Sequence, residues 1–233
     1  MTRDVLYLPG LDGEAFCAEK LSQHTTARLH VFRYPVGRTV EWPELCNLVA
    51  ARLQALGTGL LAGESFGGAV AQETALRHPQ AVRSLLLLST FNSEPERFAA
   101  SLGRAAVKLL PAGMTRVAAR MLGSWKLAGT LRGPERARFL DRLAAQDHTE
   151  FARRLKLLQG FDTRAQLGNL KLPLCVVYGT RDPICAKAET LQVWQRVGAT
   201  VHEIKGFGHL VVAEAAPEVG AIVDAWVSES SKS

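Results

Sequence analysis

Five consecutive residues, Gly63-Glu64-Ser65-Phe66-Gly67, set a serine between two glycines where a short apolar run gives way to a helical pattern. That arrangement suits a nucleophile. A serine on a sharp strand-to-helix turn takes strained backbone angles, and the flanking glycines remove the Cβ atoms that would collide as strand and helix pass. The N–H groups opening the helix then point at the serine and favour an anion forming beside it. A hydroxyl at its ordinary pKa is a weak nucleophile, so the chemistry needs a base and a group to orient that base. Two later loops offer them. Gly179-Thr180-Arg181-Asp182-Pro183 follows the apolar run 174–178, and Gly206-Phe207-Gly208-His209 follows the run 200–204. The expected roles are Ser65 as nucleophile, His209 as general base and Asp182 as the acid that orients the imidazole. Taken singly, each has a structural alternative: a Gly/Ser turn, a hydrogen-bonded loop histidine, a helix cap. Their joint placement favours chemistry. For the oxyanion, the backbone N–H of Phe66 is the first expected donor, and that of Leu11, in Leu8-Pro9-Gly10-Leu11-Asp12-Gly13, is the second.

The elements that must hold these residues are legible as alternation. Short apolar runs at 5–8, 29–34, 60–63, 82–88, 174–178 and 200–204 read as buried strands. Helical stretches at 41–56, 66–78, 186–197 and 217–227 lie between or after them. Such alternation predicts a mostly parallel sheet of about six strands with helices on both faces. It breaks once, between Asn92 and Asn169, where helical patterns run on without a convincing strand. Apolar positions there, among them Phe98, Leu102, Phe139, Leu143, Phe151 and Leu155, recur at helical spacing. The expectation is an α/β core from residues 1–91 and 170–233 and an inserted helical cap over 92–169. Ser228 to Ser233 reads as a disordered tail.

Composition narrows the function classes. The chain has 233 residues and a net charge of +6, and the excess sits in the inserted block: thirteen Lys and Arg against six Asp and Glu between Glu94 and Gly160. A solvated helical surface would account for this, and so would attraction to an acidic carrier or an anionic lipid surface. No nucleic-acid motif accompanies it. The four cysteines form no C-x-x-C pair and the six histidines no ligand-spaced pair, so neither disulfides, a metal nor a cofactor is expected. No apolar run approaches the roughly 20 residues of a membrane span. The opening residues lack the pattern of a secretory leader, which makes the cytoplasm the expected location.

At this point the chain resembles the α/β-hydrolase superfamily along nearly its whole length. Glycine-rich loop, nucleophile elbow, helical insertion, aspartate loop and Gly-His loop arrive in that family's order. The resemblance implies a lid built by the insertion and the Ser65, Asp182 and His209 roles given above. Two departures stand out: Pro9-Gly10 replaces the His-Gly of many members, and Met1 leaves no room for two leading strands. A reduced sheet is therefore expected.

The reaction this implies is hydrolysis of a carboxylic ester or thioester through an acyl-enzyme, with the insertion choosing the acyl group through residues such as Leu122, Trp125 and Leu127. Carrier-protein methyl ester esterases resemble the layout. Two other readings stay open: an acyltransferase passing the acyl group to an alcohol or lipid, which certain plastid lipid acyltransferases resemble in their glycine-rich loop, and a non-catalytic binding protein on the same fold.

Overall fold

The strand β1 (Asp4–Leu8) carries Val5 and Tyr7 into one apolar cluster and Leu6 and Leu8 into another, the period-two signature of a strand buried on both faces. The computed structural model, which describes residues 3–95 and 130–231, builds a sheet around it. β2 (Arg28–Val31), β3 (Leu60–Glu64), β4 (Ser84–Leu88), β5 (Leu174–Gly179) and β6 (Thr200–Ile204) complete the order β2-β1-β3-β4-β5-β6, every pair parallel. The strand order reverses between β1 and β3, which opens a crevice at their C-terminal ends. The glycine-rich loop and Ser65 emerge there.

Helices cover both faces. α1 (Phe16–Leu21) and the C-terminal α8 (Ala216–Ser230) pack on the face reached by Val5 and Tyr7 through Phe16, Leu21, Val223 and Trp226. On the other face lie α2 (Trp42–Leu56), α3 (Phe66–Arg77) and α6 (Ala188–Arg196), burying Leu45, Val49, Leu53, Val70 and Trp194. Each fully buried Leu or Val side chain contributes about 1.5–3 kcal/mol of transfer free energy. Pro43 sits in the first turn of α2, where its missing N–H has no helical partner to lose.

The six parallel strands and two helical layers match the fold expected from sequence. Three local differences have physical causes. β2 ends at Val31 rather than Tyr34: Phe32 still donates its N–H to Tyr7 O, but Tyr34 then packs on Phe66, ring centroids 5.3 Å apart. α1 is a six-residue helix, too short for a periodic signal. The expected C-terminal tail is helical through Ser230, which is buried, and the Ser231 hydroxyl donates to Val227 O.

After β4 the chain leaves the core at residues 92–94 and returns at 161–163, and the two crossings are bonded to each other. Thr163 N–H donates to Asn92 O at 2.9 Å and Glu94 N–H to Phe161 O at 2.6 Å. The returning half carries α4 (Gly133–Ala145) and α5 (His148–Leu157), and a short α7 (Val211–Glu214) follows His209. Phe98 and Leu102 lie outside the described residues. Among the described residues no helix is long and apolar enough to cross a membrane.

Candidate active site

Ser65 stands between β3 and α3 with φ 50° and ψ −114°, a conformation that L-residues rarely adopt. What forces it is the closeness of the passing backbones. A Cβ on Gly67 would lie 2.1 Å from Leu8 O, and one on Gly63 would lie 2.4 Å from Gly67 O. The turn is pinned by Ser65 N–H donating to Leu88 O at 3.0 Å and by the Thr90 hydroxyl donating to Ser65 O at 2.7 Å. A strained serine is thus fixed at the crevice mouth by three neighbouring strand ends.

The two downstream residues meet it there. Ser65 Oγ lies 3.0 Å from His209 Nε2, and His209 Nδ1 lies 2.8 Å from Asp182 Oδ2. All three side chains are buried, His209 at 3% exposure and Asp182 at 4%. The second oxygen of Asp182, Oδ1, accepts the N–H groups of Ile184 at 2.8 Å and Cys185 at 3.0 Å. A carboxylate held this way cannot rotate, so it fixes both the orientation and the tautomer of the imidazole. The supporting loops are locked together: Arg181 N–H donates to Phe207 O, and Gly206 N–H to Thr180 Oγ1.

Electrostatics follow the same lines. Burial pushes the Asp182 carboxyl up, but the charge and hydrogen bond of His209, with the two backbone N–H groups, outweigh it and hold the acid below its ordinary value. Burial pushes His209 down, and here too the partner wins: Asp182, joined by Glu64 and Glu214, raises the imidazole above its ordinary value. Cys185 Sγ is 3.7 Å from His209 Nδ1, and these two residues with Asp182 could offer three metal ligands within 4.8 Å. Burial and the neighbouring carboxylate push the Cys185 thiol well up, so it stays protonated, and Asp182 is already committed to three hydrogen bonds. The donor set fits a hydrogen-bonded relay better than a metal centre.

The N–H of Phe66 opens α3 beside Ser65, where no preceding turn supplies it a carbonyl. Leu11 sits in a turn closed by Gly13 N–H donating to Gly10 O at 2.9 Å, and this leaves the Leu11 N–H outside the turn's own hydrogen bond. The loop lies against the serine, since a Cβ on Gly10 would come within 3.9 Å of Ser65 Cβ. Leu122, Trp125 and Leu127, the expected acyl-pocket residues, lie outside the described residues.

Sequence reasoning passed over two acids beside the centre. Glu64 occupies the variable position before Ser65 and is buried, where it accepts the Tyr7 hydroxyl. Asp12 approaches from the glycine-rich loop, and burial with the charge of Glu64 pushes its carboxyl up to about 7. Both stand inside quoted motifs, but a motif names spacing and not which side of the strand a neighbouring side chain takes. A pocket beside the site runs from Tyr34 and Phe66 to Arg153 and Arg154 of α5.

Comparison with known proteins agrees with this architecture. The family model described as serine aminopeptidase, S33, matches residues 45–216. A hydrolase from Pseudomonas aeruginosa PA01 superposes with a TM-score of 0.79 at 21% identity, over 97% of this chain and 90% of that one. The enol-lactonase from Burkholderia xenovorans LB400 gives 0.83 at 17% identity, over 98% and 92%. Among curated proteins, polyketide synthase ThaQ of Burkholderia thailandensis is 30% identical over 162 residues, which is 66% of this chain and 8% of that much longer protein. The chain belongs to the serine aminopeptidase S33 family of α/β-hydrolases.

Proposed function

We propose that this protein is a serine hydrolase that cleaves a carboxylic ester or thioester through an acyl-enzyme. The observation that carries this reading is the unbroken relay from Ser65 Oγ through His209 to Asp182, at 3.0 and 2.8 Å. With Nδ1–H donating to Asp182, Nε2 is the free base beside the serine. It takes the hydroxyl proton as Oγ attacks the carbonyl carbon, and it returns that proton to the leaving oxygen or sulfur. The N–H groups of Phe66 and Leu11 receive the developing oxyanion, and water then repeats the sequence on the acyl-enzyme. Residues 92–169 act in this reading as a cap over the crevice.

The leaving group is the second choice to be made. The basic composition of the inserted block, together with the match to part of a polyketide synthase, favours an acyl group presented on an acidic carrier. Hydrolysis of a carrier-bound acyl group should then fall more steeply with salt than hydrolysis of a neutral ester; equal salt dependence would rule out electrostatic docking.

The primary test is turnover of p-nitrophenyl esters from acetate to decanoate, with an aminoacyl p-nitroanilide as control and fluorophosphonate labelling in parallel. Turnover and labelling should both vanish in Ser65→Ala, a loss in kcat of about four to six orders of magnitude. Labelling that survives in Ser65→Ala would refute the nucleophile, and faster anilide than ester cleavage would replace the ester reading with an aminopeptidase one. Transfer of the acyl group to an added alcohol in preference to water would make the protein an acyltransferase instead.

A further inference from the structure

Arg154, on α5, reaches out of the inserted block into a slot formed by the glycine-rich loop. Its Nη1 donates to Leu11 O at 2.8 Å, and its guanidinium lies over the Tyr34 ring, 5.3 Å from the centroid. The Tyr34 hydroxyl in turn donates to Pro9 O at 2.8 Å, so the arginine and the ring it stacks on hold the same loop at two carbonyls. The third wall is the absence of a side chain. Gly13 has φ +70°, and a Cβ there would fall 2.8 to 2.9 Å from three atoms of the guanidinium. Asp12 adds an acidic group on the same loop, whose carboxyl Arg154 draws back down against its burial.

We propose that Arg154 is a positioning residue that sets the second oxyanion donor and ties its geometry to the seating of α5. The proposal rests on the reading of Leu11 as that donor. Leu11 offers its N–H on one side of its Cα and its carbonyl on the other, and the carbonyl is the atom that Arg154 holds. Because φ and ψ of one residue connect those two planar groups, fixing the carbonyl limits where the N–H can point. A planar fork stacked on an aromatic ring holds such a carbonyl in direction as well as distance, which a lysine could not do. α5 is itself seated by Glu150, which is buried, accepts Gly37 N–H at 2.8 Å and pairs with Arg153. Displacement of α5 would therefore release the loop, and the oxyanion donor would be aligned only while the inserted block is docked.

The test is Arg154→Met, an unbranched side chain without a donor, assayed on p-nitrophenyl acetate, which is too small and neutral to need the arginine for binding. Removing an oxyanion donor outright costs roughly 100- to 1000-fold. A donor left in place but no longer aimed should cost less, on the order of tenfold in kcat, with KM within about twofold and fluorophosphonate labelling slowed in proportion. A merely structural role would lower the melting temperature and the folded fraction while leaving kcat per folded site unchanged, and that result overturns the proposal. Gly13→Ala supplies an independent arm. Alone it should lower kcat both by displacing the guanidinium and through the strain of a side chain at φ +70°. In the Arg154→Met background the first part should disappear, so the double variant should lose less than the product of the two single losses; fully multiplicative losses would also overturn it. Wild-type protein that neither turns over nor labels would instead defeat the underlying hydrolase reading, and the proposal with it.

Discussion

The core of the site and the inserted helices beside it are held by different physics. Ser65, Asp182 and His209 stand at strand ends in contacts that tolerate almost no adjustment: backbone passing backbone at glycines, and a carboxylate with both oxygens occupied. α4 and α5 instead reach the core through side chains: Phe139, Leu140 and Leu143 of α4 join one apolar cluster, Phe151, Leu155 and Leu157 of α5 pack on the other, and charged pairs add to these contacts. Lys20 pairs with Glu135, and Arg142 pairs with Glu19 at 2.9 Å while lying over the Phe16 ring. Phe16 and Phe139, with ring centroids 5.5 Å apart, add an apolar contact. The lesson is a division of labour. Groups that must not move are set by the sheet, and the helices beside them are seated by side-chain packing and by ion pairs worth little individually.

The sharpest way to test the rigid half is Asp182→Asn. The amide keeps the size and can still accept the N–H groups of Ile184 and Cys185, but it turns a donor or a neutral oxygen toward His209. The favoured tautomer is lost, and kcat should fall by about 10⁴ with the fold intact. A loss under tenfold would mean that the relay is not what activates Ser65. Next in size is Gly67→Ala. The added methyl would press on Leu8 O at 2.1 Å, where neither backbone can yield without disturbing β1. Destabilisation of about 3 kcal/mol or more, read by urea denaturation, is expected. A variant as stable as wild type would show that the elbow is softer than its geometry implies.

The pH dependence tests a finer feature, the carboxylates around His209. Since Asp182, Glu64 and Glu214 together raise the imidazole above its ordinary value, the acid limb of kcat/KM should lie above that value, with activity gained as pH rises through it. Glu64→Gln removes one charge while keeping an acceptor for Tyr7, so the limb should move to lower pH. An unmoved limb would show that Glu64 does not act on the base. Stability follows the opposite sense for the two partners. The His209 contribution is present below the unfolded pKa and fades as pH rises through the raised folded one. That of Asp182 is present above its unfolded pKa and fades as pH falls through the depressed one.

How far the sequence carried the reading divides along the same line. All six strands and the meeting of Ser65, Asp182 and His209 were legible, because strand ends in a parallel sheet converge on one edge and a motif after each strand lands there. The slot filled by Arg154 was not, although Gly13 stood in the quoted loop. It depends on a contact between residues 143 positions apart, set by how α5 docks, and no periodicity reports docking. Glu64 was hidden for a different reason. It stands one residue past the run that reads as buried strand, and only the fold brings Tyr7, on the neighbouring strand, close enough to donate to it.

The smallest expected effect bears on the compliant half. Lys20 is largely covered and Glu135 about half exposed, so Glu135→Gln removes a partly screened ion pair worth about 0.2–1 kcal/mol. Global stability should scarcely change. What should change is local: faster hydrogen exchange in α4, with the strands unaffected, because opening one helix docked by a single apolar face and a few charged contacts needs less free energy than unfolding the sheet. Raising the salt concentration should have the same effect on wild type, since screening weakens every such pair at once. If exchange in α4 and in β3 instead proved equally slow and equally insensitive to salt, the inserted helices would belong to the same cooperative unit as the sheet, and the division between a fixed centre and a compliant surround would fall.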